Sequence, residues 1–307
     1  PWVAWPAPLR DREPAALDEA KRSLAETIDF HRFCQWVFDR QWADLRQRSA
    51  AHGVALIGDL PIFLAHDSAD VWANRRLFFL DERGAPTVVA GVPPDYFSRT
   101  GQRWGNPLYR WEVLEREGFS FWIERIRRAL SQFDLVRLDH FIGFVRYWEI
   151  PASCETAIEG RWRPVPGRAL FGAVKEQLGL ERLPFIAEDL GAVSEEVFEL
   201  RDALQLPGLK LLQFAFGEDP QAETFLPHNY ERRSVVYTGT HDNDTLRGWW
   251  EDVGGEASTR TREQIIREKE AVRRYVPGRP SQIVWNMIRL AMLSVANLSI
   301  FPMQDIL

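Results

Sequence analysis

Cysteine is scarce in this chain. Cys34 and Cys154 are the only two among 307 residues, they stand far apart, and neither has a metal-ligand spacing. That excludes a disulfide-built scaffold and fits buried or incidental thiols in a reducing compartment such as the cytoplasm, with a bridge between the two as the weaker alternative. Basic charge is also in deficit: 38 Lys and Arg against 44 Asp and Glu give a net charge of -6 and a pI near 5.7. A chain of that sign cannot neutralise phosphates, so nucleic acid and anionic membranes are poor partners and a neutral or cationic substrate fits better. No run of about 18 uncharged apolar residues occurs and no charged-then-apolar leader opens the sequence, so neither a membrane span nor a signal peptide is expected. No pair of histidines has the spacing of a metal site, and no glycine-rich phosphate fingerprint follows an apolar run, so no metal and no cofactor is expected.

What the chain does have is material for a core. Hydrophobic residues make up 45% and charged residues 27%, the balance of a soluble globular protein with one large domain or two small ones. Thirteen tryptophans stand out. Rings of that size serve cores and interfaces, and they also stack on sugar rings; both uses stay open. The chain starts at Pro1, not Met, and ends at Ile306-Leu307 immediately after a strand-like run, so a piece of a longer protein cut at both ends is expected.

Residues 1–14 are rich in proline and tryptophan and predict an irregular lead-in. From 14 to about 52, Leu24, Ile28, Val37, Phe38, Trp42 and Leu45 recur near helical spacing, which predicts one long amphipathic helix or two joined end to end. Residues 54–59 form a short apolar run closed by Asp59 before Pro61, the pattern of a buried strand entering a loop. Little between 61 and 111 repeats at either period, yet glycine, proline and aromatics are dense there, and a long loop of this kind reads as a lid or a binding surface. Helices are expected at 111–132, 169–178, 194–204 with Ser194 as a cap, 256–275 and 281–295. The arginines of 121–132 and 256–275 read as solvated faces. Further strands are expected at 134–139, from 183, at 209–216, from 234 and at 298–303, with 141–166 irregular.

Helices alternating with short apolar strands imply a parallel α/β sheet. An open doubly wound sheet and a (β/α)8 barrel both satisfy that order. The missing phosphate fingerprint weakens the first. The acids favour the second, because Asp59, Asp139, Glu188 and Asp242 all fall at the carboxyl ends of strands, where barrel active sites lie. Six strands can be counted, so two more are expected before Pro1. On this reading 1–307 is a partial catalytic barrel domain, with 61–111 inserted in it as a substrate-binding loop after the first strand present.

In Leu135-Val136-Arg137-Leu138-Asp139 alternate side chains of the strand share a face, so Arg137 and Asp139 project together. Such a pair serves as a structural ion pair, or it keeps the acid ionised as a nucleophile. Acids from several strands of one barrel would converge on one pocket. Cleavage or transfer of a glycosidic bond needs such a set: an ionised carboxylate and a proton-donating acid, about 5–5.5 Å apart when configuration is retained.

Val-Arg-Leu-Asp-His-Phe around Asp139, Ala-Glu-Asp-Leu-Gly around Glu188 and Gly-Thr-His-Asp-Asn-Asp-Thr around Asp242 resemble the amylomaltases, the 4-α-glucanotransferases related to α-amylases. Gly58-Asp59-Leu60-Pro61-Ile62-Phe63 resembles the segment after that family's third barrel strand, and the most specific likeness is the loop Gly91-Val92-Pro93-Pro94-Asp95-Tyr96-Phe97-Ser98 through Gly101-Gln102-Arg103-Trp104-Gly105-Asn106-Pro107. The resemblance implies α-1,4-glucans and maltooligosaccharides as substrates, Asp139 as nucleophile held ionised by Arg137, Glu188 as general acid and base, and Asp242 as stabiliser of the oxocarbenium-like transition state. It implies further that His241 and Asp59 bond sugar hydroxyls, that Tyr96, Phe97 and Trp104 stack on the glucan, and that Asp95 assists in the same loop. Arg99 departs from the family, which often carries an acid in that Phe-Ser-x-Thr-Gly segment. Taken from the residues alone, transfer to a glucan, hydrolysis by water and non-catalytic glucan binding stay open, because the carboxylates are common to the first two.

Overall fold

The computed structural model describes all residues except 95–97, 192, 220 and 256–259. The helices of the described residues are α1 Ala7–Arg10, α2 Pro14–Ser23, α3 Ala25–Ala51, α4 Ala69–Ala73, α5 Trp111–Arg116, α6 Ser120–Gln132, α7 Gly167–Leu178, α8 Glu195–Ala203, α9 Leu246–Glu251, α10 Arg262–Tyr275 and α11 Ile283–Met292. The strands are β1 Ile57–Leu60, β2 Val88–Val92, β3 Gln102–Pro107, β4 Leu135–Leu138, β5 Arg146–Pro151, β6 Arg161–Pro164, β7 Phe185–Ala187, β8 Gly208–Leu211, β9 Ser234–Tyr237 and β10 Leu298–Ile300. Hydrogen bonds order β1, β4, β7, β8, β9 and β10 into one sheet and β3, β2, β5 and β6 into another. The first is parallel in every pairing described, as short apolar strands separated by helices require. The chain divides into two compact units, 1–185 with 191–205, and 186–190 with 206–307.

In the first unit, β1 and β4 run parallel with Asp59 opposite Arg137 and Gly58 opposite Val136. The carboxylate of Asp134 fixes the start of this pairing. It accepts from Leu56 N at 2.8 Å and from Arg46 Nη2 at 2.7 Å, and these bonds lower its pKa. Helix α6 buries Trp122, Ile123, Ile126 and Ala129, each large apolar side chain contributing roughly 1.5–3 kcal/mol. Trp122 packs edge-on against Phe144 at 5.2 Å and stacks on Trp111 at 6.2 Å, so much of the tryptophan serves the core.

In the second unit, β8, β9 and β10 pair in parallel and bury Leu209, Leu211, Val235 and Val236. Helix α10 starts with a reciprocal cap: Thr261 Oγ1 accepts from Gln264 N at 3.2 Å, and Gln264 Oε1 accepts from Thr261 N at 2.8 Å.

Several expectations need correction. The segment 61–111 is not a structureless loop, because it contains α4, β2 and β3, and β2 is one of the two inner strands of the antiparallel sheet. Residues 141–166 supply the sheet's other two strands. The helix expected over 111–132 breaks at Gly118 and Phe119, both with φ near +60°. Ser194 stands before α8 without making a side-chain cap. Helix α3 buries no residue at all, and Phe30, Phe33, Trp36 and Phe38 on it are exposed. Neither thiol is bridged; Cys34 is exposed, an incidental thiol and not a buried one, and Cys154 is half-buried. Among the described residues no helix is long and apolar enough to cross a membrane.

The β2–β3 pairing depends on a close backbone approach. A Cβ at Gly91 would lie 2.1 Å from Gln102 O and 2.6 Å from Ile150 Cδ1. Gly91→Ala is therefore expected to destabilise the protein by about 1–3 kcal/mol. Urea unfolding measures this, and an unchanged midpoint contradicts the register.

Candidate active site

The site is built outward from the β1–β4 register. Paired residues of parallel strands present their side chains to the same face, and so do residues two apart along one strand. Asp59 is opposite Arg137, and Asp139 is two residues beyond it, so one guanidinium meets both acids. Arg137 Nη1 donates to Asp59 Oδ2 at 2.6 Å, and Nη2 donates to Asp139 Oδ1 at 3.0 Å. The arginine side chain is 8% exposed, whereas the two carboxylates are 42% and 37% exposed. A buried cation left alone would be costly; two carboxylates on its fork offset that cost and hold both acids in register. The acids keep their outer edges open to solvent and to a ligand.

Immediately after Asp139, His140 takes the left-handed backbone conformation with φ 51° and ψ 55°. Its imidazole is packed edge-on against Trp104 at 4.8 Å and tilted against Phe63 at 6.3 Å. Burial lowers the histidine pKa to about 4, so the ring is neutral near pH 7. Trp104 itself is 39% exposed and donates from Nε1 to Gln102 Oε1 at 3.1 Å.

The chain leaving β1 is clamped by groups that the sequence did not reveal. Tyr109 Oη donates to Ile62 O at 2.9 Å from a fully buried position, and burial pushes its pKa up to about 12. Arg125 donates to Ile62 O at 3.3 Å, to Pro61 O at 2.7 Å and to Tyr109 Oη at 3.0 Å. Its guanidinium also lies 4.3 Å from the centre of the Trp122 ring. Arg125 is thus no solvated-face residue. The available signal was its position three residues after Trp122, which places both on one side of α6. Arg260, in the segment before α10, is likewise not solvated: it binds Asp252 at 2.9 Å and Glu268 at 2.5 Å.

In the second unit, Glu188 follows β7 and is half-buried. Its neighbour Asp189 is buried and accepts from Leu209 N at 2.7 Å, a bond that ties it to β8. The turn after β9 is closed by Asn243, whose Oδ1 accepts from Thr240 N and Thr240 Oγ1, both at 2.9 Å. Asp242 N donates to Thr240 Oγ1 at 3.2 Å. This folds the backbone inward and projects His241 and Asp242 outward, their side chains 68% and 70% exposed and 3.5 Å apart. The structure therefore joins Asp59, Arg137 and Asp139 in one unit, with Trp104 beside His140, and joins His241 to Asp242 in the other, where Glu188 also stands. Asp95, Tyr96 and Phe97 lie outside the described residues. Among the described residues no cluster of histidine, cysteine and acids could hold a metal ion.

A family model described as 4-alpha-glucanotransferase matches residues 1–307. The chain is 55% identical to a 4-alpha-glucanotransferase of Thermus thermophilus, with all of this chain and 60% of the relative covered. It is 45% identical to a chloroplastic or amyloplastic 4-alpha-glucanotransferase of Solanum tuberosum, with all of this chain and 51% of the relative covered. The chain thus spans about half to three fifths of the length of these relatives. Among solved structures, the amylomaltase from Streptococcus agalactiae in complex with acarbose superposes with a TM-score of 0.90 at 36% identity, over 99% of this chain and 59% of that one. The amylomaltase from Corynebacterium glutamicum has a TM-score of 0.71 at 20% identity, over 98% of this chain and 46% of that one, a likeness of fold alone. The expected fold class is the one found: the chain carries six strands of a (β/α)8 barrel.

The neutral His140 has a consequence for stability. An unfolded histidine takes up its proton near pH 6.5, and His140 in the folded chain only near pH 4, so the unfolded state binds the extra proton between those values. The contribution is complete above pH 6.5 and is lost as pH falls to 4, with a slope of at most about 1.4 kcal/mol per pH unit. Urea midpoints measured from pH 7 down to 4 are expected to fall less steeply in His140→Asn than in the native protein. Identical slopes contradict the assignment.

Proposed function

The chain belongs to the 4-alpha-glucanotransferase family, and from that premise we propose that it carries the catalytic part of an enzyme moving α-1,4-glucan segments to the 4-hydroxyl of an acceptor glucan or glucose. The observation that carries this reading is the fork of Arg137, which holds Asp59 and Asp139 side by side at the ends of neighbouring strands. A guanidinium at 3.0 Å favours the charged carboxylate of Asp139, the form a nucleophile needs.

In the first half of the reaction, a carboxylate oxygen of Asp139 bonds to the anomeric carbon while Glu188 gives its proton to the glycosidic oxygen, and the remainder of the donor departs. In the second half, Glu188 takes the proton of the acceptor 4-hydroxyl, whose oxygen displaces Asp139 and restores both acids. Two inversions leave the configuration retained. Asp242 stabilises the positive charge that builds on the ring in each half. Asp59 and His241 bond hydroxyls of the sugar at the cleaved bond, and Trp104 offers an exposed ring for stacking, with Tyr96 and Phe97 stacking on the glucan too and Asp95 assisting. The substrate is uncharged, in keeping with a chain whose net charge is -6. The free thiols suit a reducing compartment such as the cytoplasm.

Incubation of the intact protein with maltotriose separates transfer from hydrolysis. Glucose together with oligomers longer than the substrate is the expected product pattern; glucose and maltose without elongation would sink the transfer reading. Asp139→Asn, which keeps the shape and loses the nucleophile, is expected to lower the transfer rate at least about a thousandfold while glucan affinity measured by calorimetry stays within a few-fold.

A further inference from the structure

His140 does two things at one point in the chain. Its backbone, at φ 51°, turns the polypeptide directly after Asp139, and its carbonyl accepts from Gly143 N at 2.8 Å to open the short helical turn Phe141–Phe144. Non-glycine residues adopt that conformation rarely and only where the surroundings hold them in it. Its ring occupies space that Gly143 leaves: a Cβ there would sit 3.1 Å from His140 Cδ2 and 2.5 Å from Ile62 Cδ1. The same ring packs against Trp104, edge-on at 4.8 Å and 83°. Phe63 packs beside both, 6.2 Å from Trp104 and 6.3 Å from His140. Of the rings beside the exposed indole, His140 is the nearer, and it belongs to the residue whose backbone fixes the exit of Asp139.

We propose that His140 is a positioning residue for glucan transfer, its ring setting the attitude of Trp104 towards the bound sugar and its left-handed backbone setting the attitude of Asp139. The inference rests on the function proposed above. The two levers separate by substitution. Asparagine tolerates the left-handed conformation but lacks the ring; valine, branched at Cβ, lacks both.

The test is a kinetic and binding cycle on the intact protein with maltotriose for kinetics and maltoheptaose for calorimetry. His140→Asn is expected to raise KM roughly three- to tenfold, the worth of an aromatic contact, with kcat little changed. His140→Val is expected to lower kcat as well, because the exit of Asp139 shifts. Trp104→Ala is expected to match the loss of affinity in His140→Asn, and the double variant Trp104→Ala with His140→Asn to be no worse than Trp104→Ala alone. Additive losses in the double variant, or native KM and affinity in His140→Asn, overturn the proposal. A His140→Val protein that does not fold leaves the asparagine and alanine cycle to decide. Native protein that binds glucan without transferring it overturns the proposed function, while the affinity cycle still decides the role of His140. Native protein that binds no glucan overturns both.

Discussion

The fork of Arg137 is the constraint on which the candidate site depends. It ties an acid on β1 to an acid beyond β4, and it can do so only in the register where Asp59 faces Arg137. Because side chains alternate along a strand, a slip of β1 by one residue against β4 would turn Asp59 to the opposite face and take its carboxylate from the buried guanidinium. A mostly buried arginine that loses such partners is strongly destabilising, so the interaction that aligns the acids also selects the strand pairing.

Around that fork the structure adds rigidity in layers. Asp134 accepts from Leu56 N where β1 and β4 begin, and Arg125 and Tyr109 hold the carbonyls where β1 ends. Phe63, Trp104 and His140 follow as a ring cluster, with Trp104 delivered by the antiparallel sheet through β3. Backbone carbonyls held by a buried phenol and a guanidinium have little freedom, which suits the two displacements proposed for Asp139.

The parallel strands were legible in the sequence because each is a short apolar run, and β1, β4, β7 and β9 also carry an acid at the exit, a pattern that needs only alternation and burial. Arg137 and Asp139 could be placed on one face by counting in twos, whereas the placing of Asp59 opposite Arg137 comes from the strand register. The antiparallel strands were hidden: Val88–Val92 and Gln102–Pro107 contain glycine and proline, and their pairing involves partners as distant in sequence as Val88 and Pro151. The break at Gly118 and Phe119 is a matter of backbone angle that helical spacing does not register. Arg125 looked like one arginine among several, and only the carbonyls of Pro61 and Ile62 distinguish it. His140 was visible as the neighbour of Asp139, but its left-handed turn and its contact with Trp104 belong to the fold.

The central claim is that the sugar is briefly bonded to Asp139. It is tested most directly by trapping that bond: Glu188→Gln is incubated with a maltotriosyl fluoride donor, quenched in acid, digested, and sequenced by mass spectrometry. A fluoride leaving group needs no proton from residue 188, so the first displacement proceeds and the second is slowed. The account predicts a glycosyl mass on the carboxylate of Asp139. Label on Asp59 or another acid, or rapid turnover with no labelled peptide, would contradict it.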